Sequence, residues 1–141
     1  MFFLYNQFLR IINFFLPLIG LFSKKVNDFV KGRKSTIEKI TINFNDNDNV
    51  LWFHSASLGE FEQGSPVISE VKKKFRNHKI LLTFFSPSGY NTQKNYSNAD
   101  LITYLPIDSL KNVKEFLDCF RPKLVILIKY EFWPNYLAEL N

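Results

Sequence analysis

The sequence predicts an α/β fold, in which a parallel sheet carries helices on both faces and an apolar helix precedes the sheet. Four short apolar runs are typical of buried strands: 50–53, 80–85, 101–104 and 124–128. Segments with helical periodicity separate these runs. Because strands that alternate with helices form βαβ units, the four strands are predicted to lie parallel in one sheet.

The helices between the strands are predicted from apolar spacing and from capping residues. The segment 60–75 repeats apolar residues on one helical face. Ser109 is a suitable N-cap for a helix that ends near Cys119. A short helix is placed near residues 90–96, and a last helix begins at Tyr136.

Composition limits the classes of protein to which this chain can belong. Its 141 residues correspond to one domain, and 46% hydrophobic residues suffice for a buried core. Gly and Pro are scarce, which excludes collagen-like and disordered chains. The single cysteine, Cys119, excludes an internal disulfide and fits a reducing compartment. His54 and His78 have no metal-ligand spacing, and neither GxGxxG nor GxxxxGK[ST] occurs, so no metal and no cofactor is predicted.

Residues 2–22 form the most apolar run and are long enough to cross a bilayer, which takes about 20 residues. On a helix, Asn6, Arg10 and Asn13 fall on one face. Arg10 in the middle of a span would cost about 3 kcal/mol, whereas a helix lying flat at the interface turns this polar stripe to water. We therefore expect a membrane anchor, spanning or interfacial; a cleaved signal peptide and an ordinary core helix are the alternatives. Pro17 is expected to kink or end the helix.

A basic segment follows the apolar run. It contains Lys24, Lys25, Lys31, Arg33 and Lys34, and the chain has a net charge of +5. Such a cluster beside an apolar segment favours an anionic membrane surface as partner, while nucleic acid is disfavoured because no nucleic-acid-binding motif is present. We divide the chain into an anchor with its basic flank, residues 1–34, and an α/β domain, residues 35–141. If the helix spans the bilayer, the positive charges place the domain in the cytoplasm.

The candidate site is predicted from the ends of the strands. Ligands of open α/β sheets bind at the carboxyl ends of the strands. The polar segments that come after the four strands are 54–60, 86–89, 106–108 and 129–135. All four are predicted to lie along one edge of the sheet, which indicates a cleft.

Glu60 is the sharpest candidate in the first of these segments. The loop that contains Ser57 and Gly59 runs into a helix whose N-terminus favours negative charge, and Gly59 lets a ligand approach the backbone. Glu60 is either a favourable acid in the first helical turn or a general base at the rim of a cleft. A serine nucleophile is disfavoured because no GxSxG elbow is present. His54 is expected to be a packed, hydrogen-bonded residue at a strand end.

The later segments carry residues with both a structural and a binding interpretation. Ser88 and Gly89 belong to a turn that can also offer hydroxyl and N–H groups to a phosphate or sugar. Asp108 either caps the loop before the next helix or contacts the ligand. Glu131 either faces the cleft or pairs with Lys129.

In this order, the loops resemble those of the Kdo (3-deoxy-D-manno-octulosonic acid) transferases, a family of bacterial membrane-bound glycosyltransferases. The family pattern reads roughly W-x-H-x-x-S-x-G-E, T-x-T-x-x-G, L-P-x-D and E-T-E-L-W-P-N. The matching residues here are Trp52, His54, Ser57, Gly59, Glu60, Thr83, Gly89, Leu105, Pro106, Asp108, Glu131, Trp133, Pro134 and Asn135. Phe85 replaces the second Thr of T-x-T, and Lys129 and Tyr130 stand where E-T is common.

The resemblance implies the N-terminal, acceptor-binding half of a GT-B enzyme, in which two Rossmann-like domains face a cleft. It implies transfer of Kdo from CMP-Kdo to a lipid A precursor (lipid IVA), without a metal, at the cytoplasmic face of the inner membrane. Glu60 would deprotonate the acceptor hydroxyl, and the substrate-binding residues would be Ser57, Gly59, Ser88, Gly89, Asp108 and Glu131. Nothing in the chain resembles the donor site, so CMP-Kdo would bind to a missing C-terminal domain. The alternative is a non-catalytic, membrane-associated α/β remnant or binding module.

Overall fold

The computed structural model describes residues 2–141, apart from the side chain of Lys25. Its helices are α1 (Phe2–Gly20), α2 (Lys24–Lys34), α3 (Thr36–Asn43), α4 (Leu58–Lys74), α5 (Pro87–Gln93), α6 (Leu110–Asp118) and α7 (Pro134–Glu139). Its strands are β1 (Val50–Ser55), β2 (Lys79–Phe84), β3 (Leu101–Tyr104) and β4 (Leu124–Leu127). From β1 onward, strands and helices alternate as the sequence predicts.

The four strands form one parallel sheet in the order β3-β2-β1-β4, which confirms the predicted α/β fold. Strand β1 is central, and its residue His54 pairs with Thr83 of β2 and with Leu127 of β4. The chain builds β1, β2 and β3 towards one side and then places β4 on the other side of β1. The strand order therefore reverses between β1 and β4, and such a switch point opens a crevice at the carboxyl ends of the two strands.

The core has two halves because successive residues of β1 point to opposite faces of the sheet. Trp52 packs on one face against Phe116 of α6 and Tyr136 of α7. Phe53 lies on the other face, in a cluster that includes Phe61 of α4. Burying side chains of this size stabilises the fold by about 1.5–3 kcal/mol each. Both faces are covered by helices, as predicted.

Helix α1 presents its apolar side chains to the outside of the molecule. Phe3 and Phe14 are 71% and 70% exposed. Asn6, Arg10 and Asn13 instead line a groove together with the first residues of α6, so the predicted polar stripe faces the domain. Among the residues that the structure describes, α1 is the one helix long and apolar enough to cross a membrane, judged by length and composition.

Pro17 lies inside α1, which continues to Gly20, so of the two expected effects, a kink or an end, the end does not occur. Two other helices begin at a proline, earlier than predicted. Helix α5 begins at Pro87, earlier than predicted, because Ser86 caps the helix and proline suits its first position. Helix α7 likewise begins at Pro134 rather than two residues later.

Candidate active site

The crevice at the switch point is bounded by two turns. One leads from β1 into α4, and the other, residues 128–133, leads from β4 into α7. The Ile128 N–H donates to the His54 carbonyl at 2.9 Å, and this is the last backbone hydrogen bond that the structure describes between the segments of β1 and β4. Glu60 lies in the first helical turn after the β1–α4 connection, and Glu131 lies in the connection between β4 and α7.

Glu60 is fixed by a capping box at the start of α4. The Ser57 Oγ accepts the N–H of Glu60 at 3.4 Å, and Oε2 of Glu60 accepts the N–H of Ser57 at 3.1 Å. This reciprocal pair holds the half-buried carboxylate in one orientation. The hydrogen bonds of the described residues bring no donor to the other oxygen, Oε1. The geometry is that of a capping acid, and it leaves one carboxylate oxygen available to a ligand.

The loops after β1 and β2 lie side by side. The Ser86 N–H donates to the Ala56 carbonyl at 2.8 Å. Gly89 is buried, and a Cβ there would lie 2.5 Å from Cδ1 of Phe84 and 3.2 Å from the Leu58 nitrogen, so a larger residue would displace the Phe84 ring. Gly59 is different, because nothing lies within 4 Å of a Cβ added to it. The backbone at Gly59 is therefore open to a ligand.

Ser88 lies exposed at the outer end of the second loop. Its N–H donates to Ser86 Oγ at 3.2 Å, and the two hydroxyl oxygens are 2.7 Å apart. This arrangement caps α5, as the turn interpretation predicts. It also places two hydroxyl groups beside the loop that leads to Glu60.

Glu131 is held by two ring N–H groups and not by Lys129. Its Oε2 lies 3.1 Å from Nε2 of His54 and accepts the indole N–H of Trp133 at 2.6 Å. The interpretation that Glu131 pairs with Lys129 is therefore wrong. Lys129 is exposed, and its φ of 66° is a costly conformation for a residue other than glycine.

The hydrogen bonds of the buried His54 select one tautomer. The Trp52 indole can only donate, and it lies 2.8 Å from Thr83 Oγ1. His54 Nδ1 lies 2.8 Å from the Thr83 hydroxyl and 3.1 Å from the Thr83 carbonyl oxygen. Because an ionised carboxylate can only accept, Nε2 of a neutral His54 carries the proton and donates it to Glu131 at 3.1 Å. Burial raises the pKa of Glu131, but the hydrogen bonds from His54 and Trp133 outweigh it and hold the pKa below its ordinary value. A continuous chain of hydrogen bonds thus supports an ionised Glu131.

Asp108 is a buried cap, but for a different helix from the one predicted. Its carboxylate accepts the N–H of Asn135 at 3.1 Å and of Tyr136 at 3.0 Å, both in the first turn of α7. It also accepts the Tyr5 hydroxyl of α1 at 2.7 Å, while Ser109 caps the following helix α6. Burial raises the pKa of Asp108, and these hydrogen bonds oppose the rise. The role that the geometry gives to Asp108 is structural, and its contact with a ligand stays a prediction.

Arg33 and Phe85 support the site, although neither was predicted as a site residue. The Arg33 guanidinium lies 3.5 Å from the centre of the Phe29 ring and 4.6 Å from that of Phe85, and it donates to the Phe85 carbonyl at 2.6 Å. The Phe85 ring also packs on Trp133, with 4.9 Å between centroids. Burial lowers the pKa of Arg33 to about 10, so the side chain is charged at neutral pH. Arg33 therefore points inward and joins α2 to the site. The one feature of the sequence that could have indicated a role for Phe85 is that it replaces a Thr of the family pattern.

The structure brings most of the predicted site residues to the carboxyl edge of β1 and β2. These are Ser57, Gly59, Glu60, Ser88 and Gly89, and Glu131 adjoins them through His54. Asp108 instead contacts the first turn of α7, and α7 connects it to the site residues at the edge of the sheet. Within residues 2–141, no three His, Cys, Asp or Glu side chains could hold a metal ion. That the site uses neither metal nor cofactor stays a prediction.

Known proteins share these features of sequence. The family described as 3-deoxy-D-manno-octulosonic-acid transferase (kdotransferase) matches residues 30–141. A 3-deoxy-D-manno-octulosonic acid transferase of Aquifex aeolicus is 42% identical over 86 residues, which are 60% of this chain and 24% of that protein. One of Haemophilus influenzae is 29% identical over 91 residues, 64% of this chain and 21% of that protein. A bifunctional glycosyltransferase/methyltransferase of Fusobacterium nucleatum is 30% identical over 120 residues, 80% of this chain and 19% of that protein.

The chain therefore spans about a fifth to a quarter of the length of these relatives. The family match begins inside α2 and includes the whole sheet, both turns of the crevice and α7. On this match, the chain belongs to the 3-deoxy-D-manno-octulosonic-acid transferase family.

Proposed function

We propose that this chain is the acceptor-binding part of a glycosyltransferase that moves Kdo from CMP-Kdo to a lipid A precursor in lipopolysaccharide core biosynthesis. The observation that carries the proposal is the Glu60 carboxylate, which Ser57 holds beside the switch point of the sheet. The chain spans about a quarter of the Aquifex aeolicus relative. We therefore assign CMP-Kdo binding to further sequence, in a second domain of a GT-B arrangement.

In the proposed reaction, Glu60 takes the proton from an acceptor hydroxyl as the hydroxyl oxygen attacks the anomeric carbon of Kdo. The bond between that carbon and the phosphate oxygen of CMP breaks, and CMP leaves with the bonding electrons. Attack opposite the leaving group inverts the anomeric carbon, through a transition state with oxocarbenium character. A carboxylate in hydrogen-bond reach of the hydroxyl contributes about 10²–10⁴-fold to such a reaction.

The acceptor is proposed to bind along the two adjoining loops. The N-terminus of the 17-residue helix α4 offers the N–H group of Gly59, next to the capping residue Ser57, where the helix dipole favours the phosphates of a lipid A precursor. Ser88 adds a hydroxyl from the second loop, and Gly89 lets the loops meet. Glu131 is proposed to contact the acceptor from the far side of the crevice.

Helix α1 is proposed to lie flat on the cytoplasmic face of the inner membrane. Its polar stripe faces α6 and its Phe and Leu side chains face outward, which suits one leaflet better than a span. In a span, Arg10 would remain near the middle of the hydrocarbon. The expected result is that the chain sediments with membranes, and that replacing Phe3 and Phe14 by Ser releases it.

Glu60→Gln tests the assignment of the base. The substitution is made in this chain joined to the remaining sequence of the Aquifex aeolicus relative, and kcat is measured with CMP-Kdo and lipid IVA. Gln preserves the size of the side chain but cannot accept the proton, so kcat is expected to fall by about 10²–10⁴-fold. Acceptor affinity is expected to change far less, because the lost interaction belongs to the transition state.

Glu62→Gln is the matched control, because Glu62 is exposed on the same helix, two residues further on. A melting temperature measured on each protein separates catalysis from capping. If Glu60→Gln retains a near-normal kcat and loses only about 0.3–1 kcal/mol of stability, Glu60 is a capping acid and not the base. Acceptor binding with no turnover by the joined wild-type protein supports the alternative, a non-catalytic binding module.

A further inference from the structure

An apolar groove lies between the N-terminal helices and the loop after β2. It has a volume of about 440 Å³ and is lined by Leu16 of α1, Val26 and Phe29 of α2, and the loop residues Ser86, Pro87 and Ser88. The three apolar side chains are half-buried, so they form walls and are not part of the closed core. The groove is therefore a mostly apolar slot that two serine residues also line.

The groove borders the outward face of α1 at Leu16. Leu16 lines the groove, while its helical neighbours Phe15 and Ile19 are 49% and 50% exposed. A hydrocarbon chain that enters from this face meets apolar side chains all the way. If α1 rests in the membrane, the slot opens towards the acyl region of the lipid.

The loop that lines the groove also adjoins the candidate active site. Ser86, which lines the groove, donates its N–H to Ala56 in the loop that precedes Glu60. Helix α2, which supplies two walls, also carries the exposed cations Lys31 and Lys34. A ligand that suits both the apolar groove and the neighbouring serine and lysine side chains has a hydrocarbon chain and an anionic, hydroxyl-rich headgroup.

The wall formed by Phe29 is held by packing on both Phe85 and Arg33. Its ring packs edge-on against Phe85 at 5.4 Å between centroids, and the Arg33 guanidinium covers it at 3.5 Å. The second face of the groove is fixed by the Ser86 cap of α5. A preformed slot loses little entropy on binding, which favours use as a specific subsite.

We propose that this groove holds one acyl chain of the glycosyl acceptor, whose phosphorylated sugar headgroup lies on the adjoining loops of the candidate active site. The inference rests on the proposed function, since the acceptor is taken to be an acylated lipid A precursor. It adds a chain-binding subsite that couples the membrane to Glu60. The lipid chain then enters the protein from the bilayer, while the headgroup reaches the base without leaving the membrane surface.

The test uses the 141-residue chain in nanodiscs of phosphatidylethanolamine and phosphatidylglycerol. The probe is lipid IVA that carries a photoreactive diazirine in one acyl chain, and crosslinks are assigned to residues by mass spectrometry. We expect labelling of Leu16, Val26 and Phe29 several-fold above that of Phe15 and Ile19. Excess unlabelled lipid IVA should remove this labelling, and excess phosphatidylglycerol should not.

Leu16→Trp fills the groove, and Leu18→Trp is its matched control on the exposed face of the same helix, where Leu18 is 48% exposed. We expect Leu16→Trp to reduce labelling of Val26 and Phe29 by about tenfold, and Leu18→Trp to change it by less than about twofold, since a few methylene groups lose their burial in the first variant only. Val26→Phe, a smaller filling, replaces Leu16→Trp if that variant melts early, and it should reduce labelling in the same direction.

Calorimetric titration with the deacylated disaccharide phosphate separates this inference from the proposed function. Binding of the headgroup is expected in wild type and in both Trp variants alike. If the headgroup binds but the labelling spreads evenly over the outward face of α1, or phosphatidylglycerol displaces the probe equally well, the subsite is overturned and the acceptor role stands. If neither the headgroup nor lipid IVA binds, the acceptor role is overturned, and the subsite with it.

Discussion

The β1–α4 turn and the junction of α1 with α7 hold their carboxylates in different ways. At the turn, Glu60 and Ser57 hold each other across three residues. At the junction, Asp108 is bound by Tyr5, which lies 103 residues away, and by Asn135, which lies 27 residues away. The first arrangement forms as soon as its helix forms, whereas the second exists only once the whole domain and α1 have assembled.

This difference shows that α1 contributes hydrogen bonds to the folded α/β domain. Besides the Tyr5 bond to Asp108, Asn6 Oδ1 accepts the side-chain N–H of Asn135 at 2.9 Å. Both contacts cross the predicted boundary between residues 34 and 35, so the two-part division of the chain stays a prediction. The candidate base is set locally, while the bonds that hold Asp108 and the first turn of α7 include two residues of the N-terminal helix.

Asp108→Ala should have the largest effect on the stability of the junction. It leaves the N–H groups of Asn135 and Tyr136 and the Tyr5 hydroxyl without their acceptor, in a buried place. The free energy of unfolding should fall by about 3 kcal/mol, measured by denaturant titration. Asp118→Ala is the control, since Asp118 is exposed and its loss should change stability by less than about 0.5 kcal/mol. Equal effects of the two substitutions would show that the long-range cap contributes nothing.

Glu131→Gln should reveal a pH-dependent contribution of the turn after β4. Because the pKa of Glu131 is lowered in the folded protein, ionised Glu131 stabilises the fold above its unfolded pKa of about 4.5, and this contribution is lost as pH falls through the folded pKa. Wild type should exceed Glu131→Gln by about 1–2 kcal/mol at neutral pH, and the difference should shrink below about pH 4.5. Unfolding is followed from pH 7 to pH 3.

Glu70→Gln provides the background for this titration, because the Glu70 side chain is 74% exposed. A constant difference between wild type and Glu131→Gln at all pH values would mean that the bonds from His54 and Trp133 do not depend on the charge of Glu131.

The fold and the Glu60 turn were predictable because their signals are local. The apolar runs of β1 to β4 are short, bounded and separated by helical periods, and parallel pairing follows from that alternation. Ser57 followed by Glu60 three residues later is a capping-box pattern that sequence alone displays. The position of both at the carboxyl edge then follows from the order of the elements.

The bond between Glu131 and His54 and the bond between Asp108 and Tyr5 were not predictable, because the partners come from distant parts of the chain. No spacing rule connects Tyr5 with Asp108 or Arg33 with Phe85, and each pair depends on how helices pack on the finished sheet. Charge patterning assigned Arg33 to a membrane-facing cluster, whereas packing between aromatic rings draws it inward. The sequence indicates the sign of such a charge but not whether the side chain points to solvent or into the protein.

Tyr5→Phe tests the contact between α1 and the domain more gently. It removes one hydroxyl and leaves Asp108 with its two backbone donors, so the unfolding free energy should fall by about 1 kcal/mol. Tyr130→Phe, at a side chain that is 84% exposed, should have almost no effect. Membrane sedimentation should not change in either variant. If Tyr5→Phe matches Tyr130→Phe in stability, the junction does not depend on α1 and the contrast with the β1–α4 turn disappears.

Ser57→Ala should have the smallest effect, and it addresses the local side of the comparison. The substitution removes the hydroxyl that accepts the Glu60 N–H, at the long distance of 3.4 Å, while the bond from the Ser57 backbone N–H to Glu60 Oε2 requires no side chain at position 57. Stability should therefore fall by about 0.5–1 kcal/mol, the usual cost of an N-cap, and Ser57→Thr should recover most of it. Because Glu60 keeps its other bond, kcat of the joined enzyme should fall by less than about tenfold, far less than for Glu60→Gln. A loss of kcat as large as that of Glu60→Gln, at unchanged stability, would mean that the Ser57 hydroxyl itself contacts the acceptor.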